Sequence, residues 1–158
     1  MNKKLSRSVE VAVDPARALF VGKDVNGFEV SVDMAGKLGV PGGGDGFAAR
    51  DLLLIALAGC SGTSFIAALR DAGQKIGTLN ICVSGTIDAN PPQVFRLIHL
   101  LFRVSGTDLD PEILRSSLGA CYGSCSIAAT LQHVAKIVTD FEIIESPATM
   151  TATAAEAS

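Results

Sequence analysis

DLLLIALAGCSGTSFIAALRDAG, residues 51–73, is the stretch on which the reading of this chain turns. Its only charges, Asp51, Arg70 and Asp71, stand near its ends. Leu53, Leu57, Cys60, Ser64 and Ala68 recur at three- and four-residue spacing, the period of one helical face. The other faces are apolar too. The pattern therefore predicts a helix over 50–72 that is buried nearly all round. Ala56, Ala58, Gly59, Ser61 and Gly62 are small enough to let another backbone come close. Gly73 is placed to end the helix, in the left-handed conformation that suits glycine at that position.

On the N-terminal side of this helix, alternating apolar residues predict strands over 8–13, 17–21 and 28–34, with Asn26-Gly27 as a hairpin turn. Residues 36–46 (GKLGVPGGGDG) read as a loop, and they lack the GK[ST] ending of a phosphate-binding loop. On the other side, 78–88 and 94–105 form a long antiparallel hairpin around Asn90-Pro91-Pro92. Asp110 then caps a helix, with Pro111 at its first position and Glu112 in its first turn. That helix is expected to reach about Tyr122. Gly123 interrupts it, and Ser124 is placed to cap a turn or helix over 125–133. Residues 134–145 read as a last strand. Three strands, a helix, two strands, a helix and a strand make an α+β chain without βαβ alternation. Residues 1–146 are expected to be a single domain, and 147–158 a low-complexity, mobile tail.

Composition narrows the function. The chain has 158 residues, 48% of them hydrophobic, and a net charge of −3. No basic run exceeds Lys3-Lys4, so no nucleic-acid footprint is present. The longest uninterrupted apolar run, Leu52 to Cys60, is about half of the roughly 18 residues a membrane span needs, so no membrane association is expected. The N-terminus has no apolar segment of signal-peptide type, and the reading is cytoplasmic. Disulfides are disfavoured there. The four cysteines, at 60, 82, 121 and 125, are then packing residues, metal ligands or reactive thiols.

Taken alone, Cys60 is compatible with packing and with reactivity. Cys82, between Ile81 and Val83 on a strand, reads as packing. Cys125 follows an expected helix break. With Ser124 as N-cap the helix dipole would favour a thiolate at Cys125, while a buried cysteine in a tight turn fits equally well. Cys121 shares a helical face with Cys125 if the helix runs straight through. His99 and His133 could join these two as zinc ligands, but the spacing matches no compact zinc motif, so no metal and no cofactor is expected. A serine nucleophile elbow, GxSxG, is absent.

The blocks taken in order resemble the OsmC/Ohr family, in particular its YhfA-like branch. LLLIALAGC (52–60) is similar to the LLLAALAGC of that branch. FVGKDVNGFEVSVD (20–33) looks like the family's N-terminal hairpin, and GGGDG (42–46) like the loop before the first cysteine helix. FRLIHLLFRVSG (95–106) resembles its long strand. CSIAATL (125–131) is similar to the CSVSATL block of the second cysteine. The likeness spans roughly residues 9–145.

The resemblance implies an OsmC-like fold, with antiparallel sheets wrapped around long central helices in an intertwined homodimer. It implies a thiol peroxidase in which Cys60 attacks an organic hydroperoxide and becomes a sulfenic acid. Cys125 would condense with it to a disulfide, and an external dithiol would reduce that bond. One departure stands out. The peroxidase branches carry a Glu ten residues before the first cysteine, paired with an N-terminal Arg that stabilises the thiolate. Here that position is Arg50, and Asp51 is the nearest carboxylate. Arg17 is the candidate N-terminal arginine. Arg17, Arg50 and Asp51 are therefore the candidate activating residues. The alternatives on the same fold are a non-catalytic binder of small apolar ligands and a redox sensor.

Overall fold

The computed structural model describes residues 6–39 and 43–145. The expected tail, 147–158, and part of the glycine-rich loop lie outside the described residues. The elements in order are β1 (Glu10–Asp14), β2 (Leu19–Lys23), β3 (Glu29–Asp33), α1 (Ala35–Leu38), α2 (Ala49–Asp71), β4 (Lys75–Ile87), β5 (Phe95–Thr107), α3 (Pro111–Ser124), α4 (Ser126–Leu131) and β6 (Lys136–Ile143). Two three-stranded sheets form, in orders β1-β2-β3 and β4-β5-β6. The α+β class expected from the sequence is the one observed. The chain falls into two compact units, 1–55 and 56–158.

In the first unit β1, β2 and β3 pair antiparallel in sequence order. Arg17 sits in the turn between β1 and β2, where its amide donates to the Asp14 carboxylate at 3.3 Å. The second strand thus starts two residues later than expected. The stretch read wholly as loop contains the one-turn helix α1. The Asp33 carboxylate organises this region, accepting from the amides of Ala35 at 2.8 Å and Asp45 at 3.2 Å. Those donors hold its pKa below the usual carboxylate value.

In the second unit α2 buries Leu57, Ser61, Phe65 and Leu69, each four residues after the last. β5 turns Ile98, Leu100, Phe102 and Val104 inward at every second position. Phe65 and Phe102 meet edge to face, with ring centroids 5.0 Å apart. α3 adds Leu114, Leu118 and Cys121. α2 ends as predicted. The Gly73 amide donates to Arg70 O and the Gln74 amide to Leu69 O, with Gly73 at φ 72°.

Two expectations need correction. β6 pairs parallel with β5, so the second sheet is mixed rather than antiparallel throughout. A parallel return needs a long crossover, and α3 and α4 supply it. Gly123 does not interrupt α3. The helix runs on to Ser124 and breaks at Cys125, whose backbone is extended at φ −88°, ψ 105°. α2 is long and apolar enough to cross a membrane by length and composition. Ser61, Gly62, Thr63 and Ser64 interrupt a strictly apolar run but carry no charge. Only 28% of its most apolar stretch is buried within this one chain.

Candidate active site

The cysteine pair is built from α2 and the junction of α3 with α4. Cys60 lies mid-way along α2 and is half-buried, and Cys125 is fully buried at the junction of α3 and α4. Cys125 has a double role in the backbone. Its amide donates to Cys121 O and closes α3. Its sulfur accepts from the Ala128 amide at 3.3 Å and so caps α4. Cys125, not Ser124, is therefore the N-cap. An N-cap needs an acceptor side chain on an extended backbone, and a cysteine sulfur fills that place here.

Each cysteine is followed by a serine, and each serine bears on the other cysteine. Ser61, next to Cys60, donates its hydroxyl to the Cys125 sulfur at 3.4 Å. Ser126, next to Cys125, has a hydroxyl and an amide that favour a thiolate at Cys60. The Cys125 thiol and the Ile127 amide favour that thiolate as well. Burial alone would push the Cys60 thiol up. These groups outweigh it and bring the pKa below the ordinary thiol value. Hydrogen bonds to a thiolate stabilise it, and the thiolate is the nucleophile.

Cys121 behaves differently. Burial, followed by the nearness of Cys125, pushes its thiol up to about 11. Its sulfur donates to Ser117 O at 3.1 Å, as a neutral thiol does. Cys82 is not the packing residue expected. It is exposed on β4, opposite Leu101, on the face that β5 turns away from its core. The Arg103 guanidinium lies 3.6 Å from its sulfur.

The candidate activating residues belong to the first unit. Arg17 forms an ion pair with Asp45, a partner the sequence reading did not name. Asp51 occupies the first turn of α2, where a carboxylate complements the helix dipole. Arg50 lines a cavity of about 240 Å³ with Asp33 and Lys37. His99 pairs with Asp140 at 2.7 Å rather than with a cysteine. Among the described residues no three His, Cys, Asp or Glu side chains cluster as a metal site would require.

A family model of OsmC-like proteins matches residues 42–140, well over half the chain and including both cysteine blocks. This chain belongs to the OsmC-like family. Among curated relatives, the protein YhfA of Escherichia coli (strain K12) is 24% identical over 129 residues, covering 79% of this chain and 90% of that one. Among solved structures, an OsmC-like protein from Mycoplasma pneumoniae superposes with a TM-score of 0.75 at 19% identity, covering 91% of this chain and 99% of its own. An organic hydroperoxide resistance protein from Elizabethkingia anophelis gives 0.67 at 15% identity, covering 90% and 100%. These likenesses establish an OsmC-like fold for this family member.

Ser61, Ser126 and Asp45 are the residues that sequence reasoning missed. The signal for the serines was present as the repeated Cys-Ser dipeptide at 60–61 and 125–126. Asp45 carried no local mark, since its pairing with Arg17 depends on the loop folding back over 28 residues.

Proposed function

We propose that this protein is a thiol-dependent peroxidase that reduces organic hydroperoxides. The observation that carries the reading is half-buried Cys60 on α2, whose neighbour Ser61 donates to the sulfur of buried Cys125 at 3.4 Å and so brings the two cysteines to one place. The Cys60 thiolate attacks one peroxide oxygen and the O–O bond breaks. The alkoxide leaves and takes a proton to become the alcohol. Cys60 is left as a sulfenic acid. The Cys125 sulfur then bonds to the Cys60 sulfur, and the sulfenic oxygen departs as water. An external dithiol returns both sulfurs to thiols by two exchange steps, with attack at the more accessible Cys60.

Burial suits Cys125 to this division of labour, because solvent and peroxide reach Cys60 first. The Elizabethkingia relative's role in organic hydroperoxide resistance supports the substrate class. Activation by Arg17, Arg50 or Asp51 rests on the family resemblance. The homodimer is supported by the apolar surface that α2 leaves open, and the cytoplasmic setting by the sequence.

The test is turnover of cumene hydroperoxide with dithiothreitol. Cys60→Ser should abolish peroxide consumption. Cys125→Ser should give about one turnover and then sulfinic acid at Cys60. Equal rates in wild type and Cys60→Ser would rule the mechanism out.

A further inference from the structure

The C-terminal end of α2 and the start of β4 line an open cleft of about 630 Å³, with Ile66, Ile76 and Leu79 as aliphatic walls and Arg70, Gln74 and Lys75 as its polar groups. The size lies in the range of small-molecule sites. No carboxylate lines it. Arg17, Lys23, Arg96, Arg103 and Arg115 are each in an ion pair, while among the described residues neither Arg70 nor Lys75 is in one.

Three features make the cleft more than a gap. First, the carbonyls of Leu69 and Arg70 at the end of α2 are already answered by the amides of Gln74 and Gly73. The Arg70 guanidinium is therefore not needed to satisfy them. Second, Gln74 Oε1 accepts from the Asp110 amide at 2.8 Å, which fixes that side chain and leaves its NH₂ as a donor. Third, the pairing of β4 with β5 passes from Ile76–Gly106 to Thr78–Ser105, so Gly77 is an extra residue, a β-bulge. In a regular strand Ile76 and Leu79, three apart, would face opposite sides. The bulge lets both line the cleft.

We propose that this cleft binds a long-chain monocarboxylate. The carboxylate lies between Arg70 and Lys75, and the tail lies along Ile66, Ile76 and Leu79. Two cations and an amide donor suit a carboxylate's two oxygens. The aliphatic walls would be wasted on a small inorganic anion. The site is separate from the thiol centre, since Arg70 is ten residues, or about 15 Å along the helix, beyond Cys60. It does not rest on the peroxidase reading.

The experiment is calorimetric titration of full-length Cys60→Ser protein with dodecanoate and with dodecanol. The same titrations are run on that protein carrying Arg70→Ala and Lys75→Ala, with light scattering on every sample. Dodecanoate is expected to bind, to bind more tightly than dodecanol, and to lose at least about tenfold in affinity when the two cations are removed. Equal affinity with and without the cations would overturn the proposal, as would no binding at all. So would loss of binding accompanied by a change in oligomeric state, which would assign the cations to a contact between copies.

Discussion

At Cys60, desolvation raises the cost of the thiolate, and four polar groups of residues 125–127 more than offset it. Two of the four, a hydroxyl and an amide, come from Ser126. Removing that hydroxyl has a defined sign. Ser126→Ala takes away a group that favours the charged form, so the Cys60 pKa rises. In single-turnover oxidation by cumene hydroperoxide, the variant should be slower than wild type at neutral pH. Its rate-against-pH midpoint should move alkaline, and the two rates should converge once both thiols are ionised. Unchanged midpoints would remove Ser126 from the account. The two cysteines of the proposed pair were legible from the blocks around them. Their serine partners were not, because Ser61 reaches the Cys125 sulfur, and Ser126 acts on Cys60, only once the helices have packed. Cys82 was misread for a related reason. Its apolar neighbours suggested burial, but β5's inward residues decide which face of β4 is covered, and Cys82 lies on the other.

Among the elements, α2 could be read from end to end, because helical period, charge-free length and a terminal glycine all agree. Its observed limits, Ala49–Asp71, lie within one residue of the expected ones. The end of α3 could not be read so well. Gly123 suggested a break, yet a Cβ there would meet nothing within 4 Å, and the glycine simply continues the exposed side of the helix. The break falls instead where a sulfur can cap the next helix. The parallel direction of β6 was equally hidden, since alternation reveals a strand but not its partner. The β4–β5 hairpin contains a position that can be tested by stability. A Cβ on Gly106 would lie 2.2 Å from the Lys75 carbonyl oxygen, a backbone atom that cannot move alone. Gly106→Ala should destabilise the protein by about 1–3 kcal/mol, seen as a lower thermal midpoint. Wild-type stability in that variant would mean the strands separate there at no cost.

For the molecule as a whole, the central feature is apolar surface that one copy leaves open. Only 28% of the most apolar part of α2 is buried, and Val11, Val13, Phe28, Leu53 and Ile55 are all at least 37% exposed. Surface of that kind marks an interface. Light scattering at micromolar concentration should give the mass of a dimer, and a monomer would contradict the proposed assembly. The order of elements and the α+β class were readable from the sequence. How much of α2 one copy covers was not, because periodicity reports which faces are apolar and not what lies on them. The most direct test of the account is chemical. The protein is treated with one equivalent of cumene hydroperoxide, and its peptides are mapped by mass spectrometry without reduction. A Cys60–Cys125 disulfide is expected within seconds, with Cys82 and Cys121 remaining thiols. Unmodified Cys60 and Cys125, or a disulfide through Cys121 in place of Cys125, would contradict it.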